Sequence, residues 1–321
     1  MIYMEKYNED FENFYCDEVF KVVNKTFRQE IVNSCRKYFP SDFFKMSNID
    51  KNFKKLILAK YKDLNNIYEY IQNVSTCIMK SECFTCEAIL GDCYYKSQIL
   101  NILYKDYHDT YEKVRDRSCV YNSVNQKMNV KLVLESKMLT CPYCNRDYIN
   151  SRGDKVSGAQ LDHFFSRKKH PIFTLCLYNL IPICANCNRI KSASSQTLVS
   201  PFDEEFDFDN KVKFSYLMKG QDAVEVVIRS QDNITNNIEL LKLKEAYEIH
   251  STDIQEIIHK SEVYNASQIE EIIESLESRA IAITKSEIKE MIFGKVLDSK
   301  EFGKRPLSKM RYDVLKEIGV Y

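Results

Sequence analysis

The chain has no tryptophan, only seven glycines and six prolines in 321 residues, and no net charge, because 46 basic side chains balance 46 acidic ones. Each shortage excludes something. With no net charge the protein is not a general coat for polyanions, so any nucleic-acid surface must come from local patterning. No apolar run approaches the ~18 residues needed to span a bilayer, and no membrane segment is predicted. Met1 to Glu9 show no basic stretch followed by an apolar one, so no secretory signal is expected and the chain reads as cytoplasmic. A hydrophobic content of 44% with 12% aromatics is too rich for a disordered chain. At roughly 150 residues per domain, the length suggests about two domains.

Residues 1–90 contain no glycine and a single proline, Pro40, which predicts long helices with a break there. From Phe53, the residues Ile57, Leu64, Ile67, Tyr68 and Ile71 form the stripe of an amphipathic helix, and a second such stretch runs from about Thr76 to Tyr107. The first 135 residues therefore read as a helical domain without a chemical motif. Composition changes near Thr140, where glycine, proline and cysteine concentrate and strand-like pieces replace helical stripes. After the acidic link 202–210, Val212, Phe214, Tyr216 and Met218 alternate, then Val224, Val226 and Ile228, across Lys219–Gly220: a hairpin. Helices follow. Ser267 with Glu270, and Thr284 with Glu287, have capping-box spacing. A break at Gly303 to Pro306 precedes a last helix from Ser308.

Twelve cysteines in a chain read as cytoplasmic need a reason other than disulfides. Cys141-Pro142-Tyr143-Cys144 and Cys184-Ala185-Asn186-Cys187 are two CxxC pairs with 39 residues between them. Two such turns supply the four thiolates of a closed, structural Zn²⁺ site. A redox pair would leave the second CxxC unexplained. A third CxxC, Cys83 to Cys86, falls with Met79, Leu90 and Cys93 on one helix face and reads as buried core rather than a second metal site.

The insert between the two pairs is longer than the 15–20 residues of a plain zinc ribbon. It holds Asp162-His163, then Asn179-Leu180, and Asn188 follows Cys187 directly. An Asp and an Asn offer hard oxygen ligands for Mg²⁺ or Mn²⁺. A histidine near its usual pKa can take a proton from an attacking water. In this order and frame, residues 141–192 resemble the HNH nuclease family. The resemblance implies a ββα-metal module in which His163 is the general base, Asp162 and Asn188 hold the catalytic ion, and Asn179 braces the loop and orients the histidine. Asn188 stands where the family commonly has histidine, an HNN variant that favours Mg²⁺ or Mn²⁺ over softer ions. The ending Phe293-Gly294, Phe302 and Lys304 to Lys309 looks like a bacterial HNH group, some of whose members act in Septu- or retron-type anti-phage defence beside an SMC-like or AAA-like ATPase.

Charge read locally supports a nucleic-acid partner: residues 141–200 carry eight basic side chains against three acidic ones. Arg167, Lys168 and Lys169 follow the Asp-His step, and with His170, Arg189 and Lys191 they are the expected phosphate contacts. His108, His250 and His259 read as structural.

The expected fold is thus α+β and mostly helical. A helical region over 1–135 precedes an HNH module over 136–200, and a hairpin with helices packs on that module over 201–321. The expected function is metal-dependent hydrolysis of phosphodiester bonds, with DNA favoured. The alternatives are an RNase of the same mechanism, acting for instance on tRNA, and a non-catalytic zinc module that binds nucleic acid or a partner protein.

Overall fold

The computed structural model describes residues 1–38, 43–45, 47–77, 109–192, 196–220 and 223–321. The expected cysteine face at Met79, Cys83, Cys86, Leu90 and Cys93, the break at Pro40, and His108 lie outside these residues. About half of the described residues are helical, and the strands form three two-stranded antiparallel sheets. Among the described residues, no helix is long and apolar enough to cross a membrane.

The chain opens with α1 (Glu9–Val22), α2 (Lys25–Tyr38), α3 (Ile49–Ile57) and α4 (Tyr61–Cys77). In α1 the Asn8 side chain accepts the Phe11 N–H at 2.8 Å, and Glu9, Asp10 and Glu12 complement the positive end of the helix dipole. Its buried stripe of Phe11, Tyr15 and Val19 faces inward. The single helix expected from Phe53 onward is two helices. The stripe keeps its phase across Leu58 to Lys60, so periodicity could not show the break. The first helix closes locally, with the Leu58 and Ala59 amides turned back to the Lys54 and Leu56 carbonyls, and Lys60 then makes long-range contacts with Glu12 and the Tyr178 hydroxyl.

A helical stretch over 109–115 (α5) leads to β1 (Ser118–Tyr121) and β2 (Val124–Lys127), then α6 (Met128–Glu135). The first 135 residues are therefore not all helical. Asn122 and Ser123 both adopt positive φ, 48° and 63°, the conformation a two-residue hairpin turn requires, and asparagine tolerates it well.

In the central segment β3 (Gln160–His163) pairs with β4 (Leu180–Ile183), placing His163 opposite Leu180 and Asp162 opposite Ile181. Two 3₁₀ turns, Pro171–Phe173 and Leu177–Asn179, lie in the connection, and α7 (Ala185–Lys191) follows β4 at once. Gly158 lets the chain enter β3: a Cβ there would lie 1.9 Å from the Asn150 carbonyl oxygen. No larger residue fits without moving backbone.

Next, α8 (Phe208–Lys211) leads into β5 (Val212–Met218), which pairs with β6 (Val224–Ser230) in the alternating register read from the sequence. The remaining helices are α9 (Ile234–Leu240), α10 (Leu243–Tyr247), α11 (Ser251–Val263), α12 (Ala266–Glu277), α13 (Lys285–Phe293) and α14 (Ser308–Glu317). The Thr284–Glu287 capping box is present. The Ser267–Glu270 box is not: α12 starts earlier, capped by Asn265, whose side chain accepts the Ser267 and Gln268 amides. Asparagine is as good a cap as serine, and it stands first in the chain. The C-terminal part docks on the turn after Cys144. There Asn145, at φ 51°, contacts the Phe302 and Arg305 carbonyls, the Ser308 hydroxyl and the Lys309 amide, while its own carbonyl accepts the Leu307 N–H. One continuous buried cluster joins the helices of the first part to β4, the hairpin and α14.

Candidate metal and catalytic site

Cys141 and Cys144 lie on the turn before β3, Cys184 caps α7, and Cys187 sits one turn into that helix. All four thiols are buried, and their sulfurs lie within 4.8 Å of one another. A tetrahedral zinc with Zn–S bonds of about 2.3 Å needs sulfurs about 3.8 Å apart, and the Cys144–Cys184 pair is at 4.0 Å. Backbone amides already aim at the sulfurs, Arg146 N–H at Cys144 and Cys187 N–H at Cys184, each at 3.4 Å. Hydrogen bonds from the Cys141, Cys184 and Cys187 thiols hold the Cys144 thiol far below its ordinary pKa. Four buried thiols this close together, two of them accepting backbone amides, fit a zinc ion.

The Asp-His step lies beside this cluster and is mechanically tied to it. Asp162, 4% exposed, receives the hydroxyl of Tyr143 at 2.7 Å and the ammonium of Lys191 at 3.0 Å. Tyr143 stands inside the first CxxC, and Lys191 ends the helix that the second CxxC begins. Each cysteine turn thus contributes one of the two groups that hold the carboxylate.

His163, 9% exposed, places Nε2 3.1 Å from the Thr174 carbonyl oxygen. A carbonyl only accepts, so Nε2 carries the proton in this bond and the lone pair of the neutral ring is on Nδ1. The Tyr111 ring lies edge-on to the imidazole, with centroids 4.6 Å apart. Asn179 is fully buried. Its amide accepts the Phe165 N–H at 2.7 Å and donates to the Phe165 and Phe173 carbonyls, which closes the loop between β3 and β4. Its backbone carbonyl takes the Phe164 N–H. Asn188, half-buried, donates to the Gln160 side chain at 2.7 Å, which spends an amide N–H and leaves its oxygen as the atom suited to a cation.

A cleft of about 680 Å³ brings Asp162, His163 and Asn188 together with Ser166, Arg167 and Lys168. Its opposite wall, Tyr111, Arg115, Asp116 and Asn129, comes from α5, α6 and the turn after α5. These residues carry no motif. The one trace they leave in sequence is the aromatic–basic spacing of Tyr111 and Arg115, one helical turn apart, and the Arg115 guanidinium does lie 5.7 Å from the Tyr111 ring centre. Arg167 lies at the same distance from that ring.

Four of the expected phosphate contacts lie outside the lining: Lys169, His170, Arg189 and Lys191. Two of these are corrections in kind. Lys191 is buried, and its ammonium is spent on Asp162 and on the His163 and Phe164 carbonyls, so it has no donor left for a phosphate. His170 is buried against the rings of Tyr68 and Phe173, because Pro171 turns the chain inward directly after it.

Burial, helped by Lys169, lowers the His170 pKa from 6.5 to about 4. The unfolded chain therefore binds a proton that the folded chain refuses between these values. Stability is fully present above pH 6.5 and is lost as pH falls toward 4, by about 3 kcal/mol in all. Urea melts at pH 7 and 4.5 should show this loss, and His170→Phe should flatten it; an unchanged slope in the variant would remove His170 as the cause.

No protein family, curated protein or solved structure matches the chain.

Proposed function

We propose that the chain is a metal-dependent nuclease of the HNH type, stapled by zinc at its four cysteines, that hydrolyses phosphodiester bonds, preferentially in DNA. The observation that carries this reading is the cleft that Asp162, His163 and Asn188 line together with Arg167 and Lys168. A carboxylate, a tautomerically fixed imidazole, an amide oxygen and two cations in one recess suit an anionic ester and an activated water.

His163 accepts the proton of the attacking water at Nδ1. Its Nε2–H stays on the Thr174 carbonyl, which steadies the imidazolium as it forms. The water oxygen bonds to phosphorus, the P–O3′ bond breaks, and the leaving oxygen takes up a proton from solvent. A divalent ion held by Asp162 and Asn188 would offset the charge that develops on that oxygen. Arg167 and Lys168 hold the flanking phosphates without reading sequence. By the family resemblance, the products carry 5′-phosphate and 3′-hydroxyl ends. The neutral whole-chain charge implies weak intrinsic affinity, so the protein alone cleaves slowly, and a partner, an SMC-like or AAA-like ATPase of a cytoplasmic defence system, speeds cleavage by delivering the substrate.

One observation favours the rival, a non-catalytic zinc module: both Asp162 oxygens are already engaged, by Tyr143 and Lys191. Incubation with plasmid DNA and with total RNA, with and without Mg²⁺ or Mn²⁺, separates the readings. Metal-dependent DNA cleavage leaving 5′-phosphates is the expected result. Preferential RNA cleavage would move the substrate to RNA, and intact nucleic acid throughout would favour the rival.

A further inference from the structure

Asp162 is the single carboxylate offered to the proposed ion, and its charge is already balanced. The Lys191 ammonium lies 3.0 Å from both carboxylate oxygens, 3.1 Å from the His163 carbonyl and 3.2 Å from that of Phe164. With 3% of its surface exposed, it cannot swing into water without opening α7. The other charged groups lining the cleft are Arg115, Arg167 and Lys168 against Asp116, which is itself paired with Arg115. Asn188 adds an oxygen and no charge. The recess therefore presents a cationic face, to which a free divalent ion is repelled and a phosphodiester attracted.

Hard divalent ions are held by one or two carboxylates together with substrate phosphates. Here the carboxylate alone cannot suffice, because a fixed positive charge sits against it. A phosphate seated near Arg167 and Lys168 would supply both the missing negative charge and further oxygens. On the nuclease reading above, we infer that Lys191 keeps the Asp162–Asn188 site from taking a divalent ion until a substrate phosphate arrives, so that metal and nucleic acid bind together. Lys191 is then a positioning residue with a second effect: it fixes the carboxylate and sets the order of assembly. Linkage makes the effect reciprocal, so the ion tightens nucleic-acid binding by the same factor.

The test is Mn²⁺ binding read by electron paramagnetic resonance. It uses zinc-loaded His163→Ala protein, with and without a short single-stranded DNA oligonucleotide, and subtracts the signal of oligonucleotide alone. The expected result is Mn²⁺ affinity that rises at least about tenfold when the oligonucleotide is bound. Asp162→Asn should abolish that rise. Adding Lys191→Met should tighten Mn²⁺ by about tenfold or more without oligonucleotide, because the competing charge is gone. Where that variant does not fold, the comparison with and without oligonucleotide still decides. A tight Mn²⁺ site in the oligonucleotide-free protein, or an affinity the oligonucleotide does not change, overturns the inference. The two failures are distinguishable: a protein that cleaves DNA but binds Mn²⁺ independently of it sinks this inference alone, whereas one that cleaves nothing sinks the nuclease reading.

Discussion

On the proposed mechanism, replacing His163 by alanine should lower cleavage by about three orders of magnitude, the scale of a lost general base, while zinc content should stay that of the unaltered chain. The folding cost is small because the ring does little structural work. Among what it forfeits are the hydrogen bond to the Thr174 carbonyl and the edge contact with Tyr111. Together these are worth about 2 kcal/mol, and the vacated space adjoins the cleft, where water can satisfy the carbonyl. The loop keeps its shape because Lys191 and Asn179 hold the backbone at the histidine and just after it. A His163→Ala protein that melts near the unaltered temperature and still cuts at full rate would rule out the mechanism, whatever the metal does.

The second large effect comes from the sulfurs. Cys184→Ser removes one ligand of the four-thiol cluster and the cap of α7 at once, since the Cys184 sulfur accepts the Cys187 amide. Structural zinc sites contribute folding energy directly. We expect zinc content to fall below one per chain and stability to drop by about 4 kcal/mol, a melting shift of about 10 °C for a chain of this size. Cleavage should fall with it, because Tyr143 and Lys191 lose the turns that carry them to Asp162. The two variants therefore separate chemistry from scaffold: one loses activity and keeps its zinc, the other loses both. Metal analysis beside calorimetry checks this, and a zinc-free variant of full stability would contradict it.

The features readable from sequence are those encoded by short spacing. Two CxxC turns bring four sulfurs together because each turn is self-contained, and the 212–230 hairpin follows from alternation on both sides of Lys219–Gly220. The loop closure by Asn179 and the gathering of Asp162, His163 and Asn188 into one cleft concern residues close in sequence to those turns. What escaped reading depends on where distant segments meet. Tyr111 and Arg115 face the cleft because α5 packs beside β3, and nothing in a helix sequence names its partner loop. Lys191 reads as one more basic residue on a charged stretch until the fold sets it beside Asp162, and only then does it become a buried ion pair. His170 was misplaced for a similar reason: two lysines before it suggest surface, whereas the turn at Pro171 carries it under Tyr68. The false cap at Ser267 shows a local rule overruled by an equally good residue two positions earlier.

Asn145 ties the timing of assembly to the length of the chain. Its buried amide follows directly on a cysteine of the four-thiol knuckle, yet groups that satisfy it lie at Phe302, Arg305, Ser308 and Lys309. A polar side chain shut away without those partners is costly. On the ribosome, the knuckle therefore emerges long before its clasp, and this amide stays without those partners until Lys309 has been made.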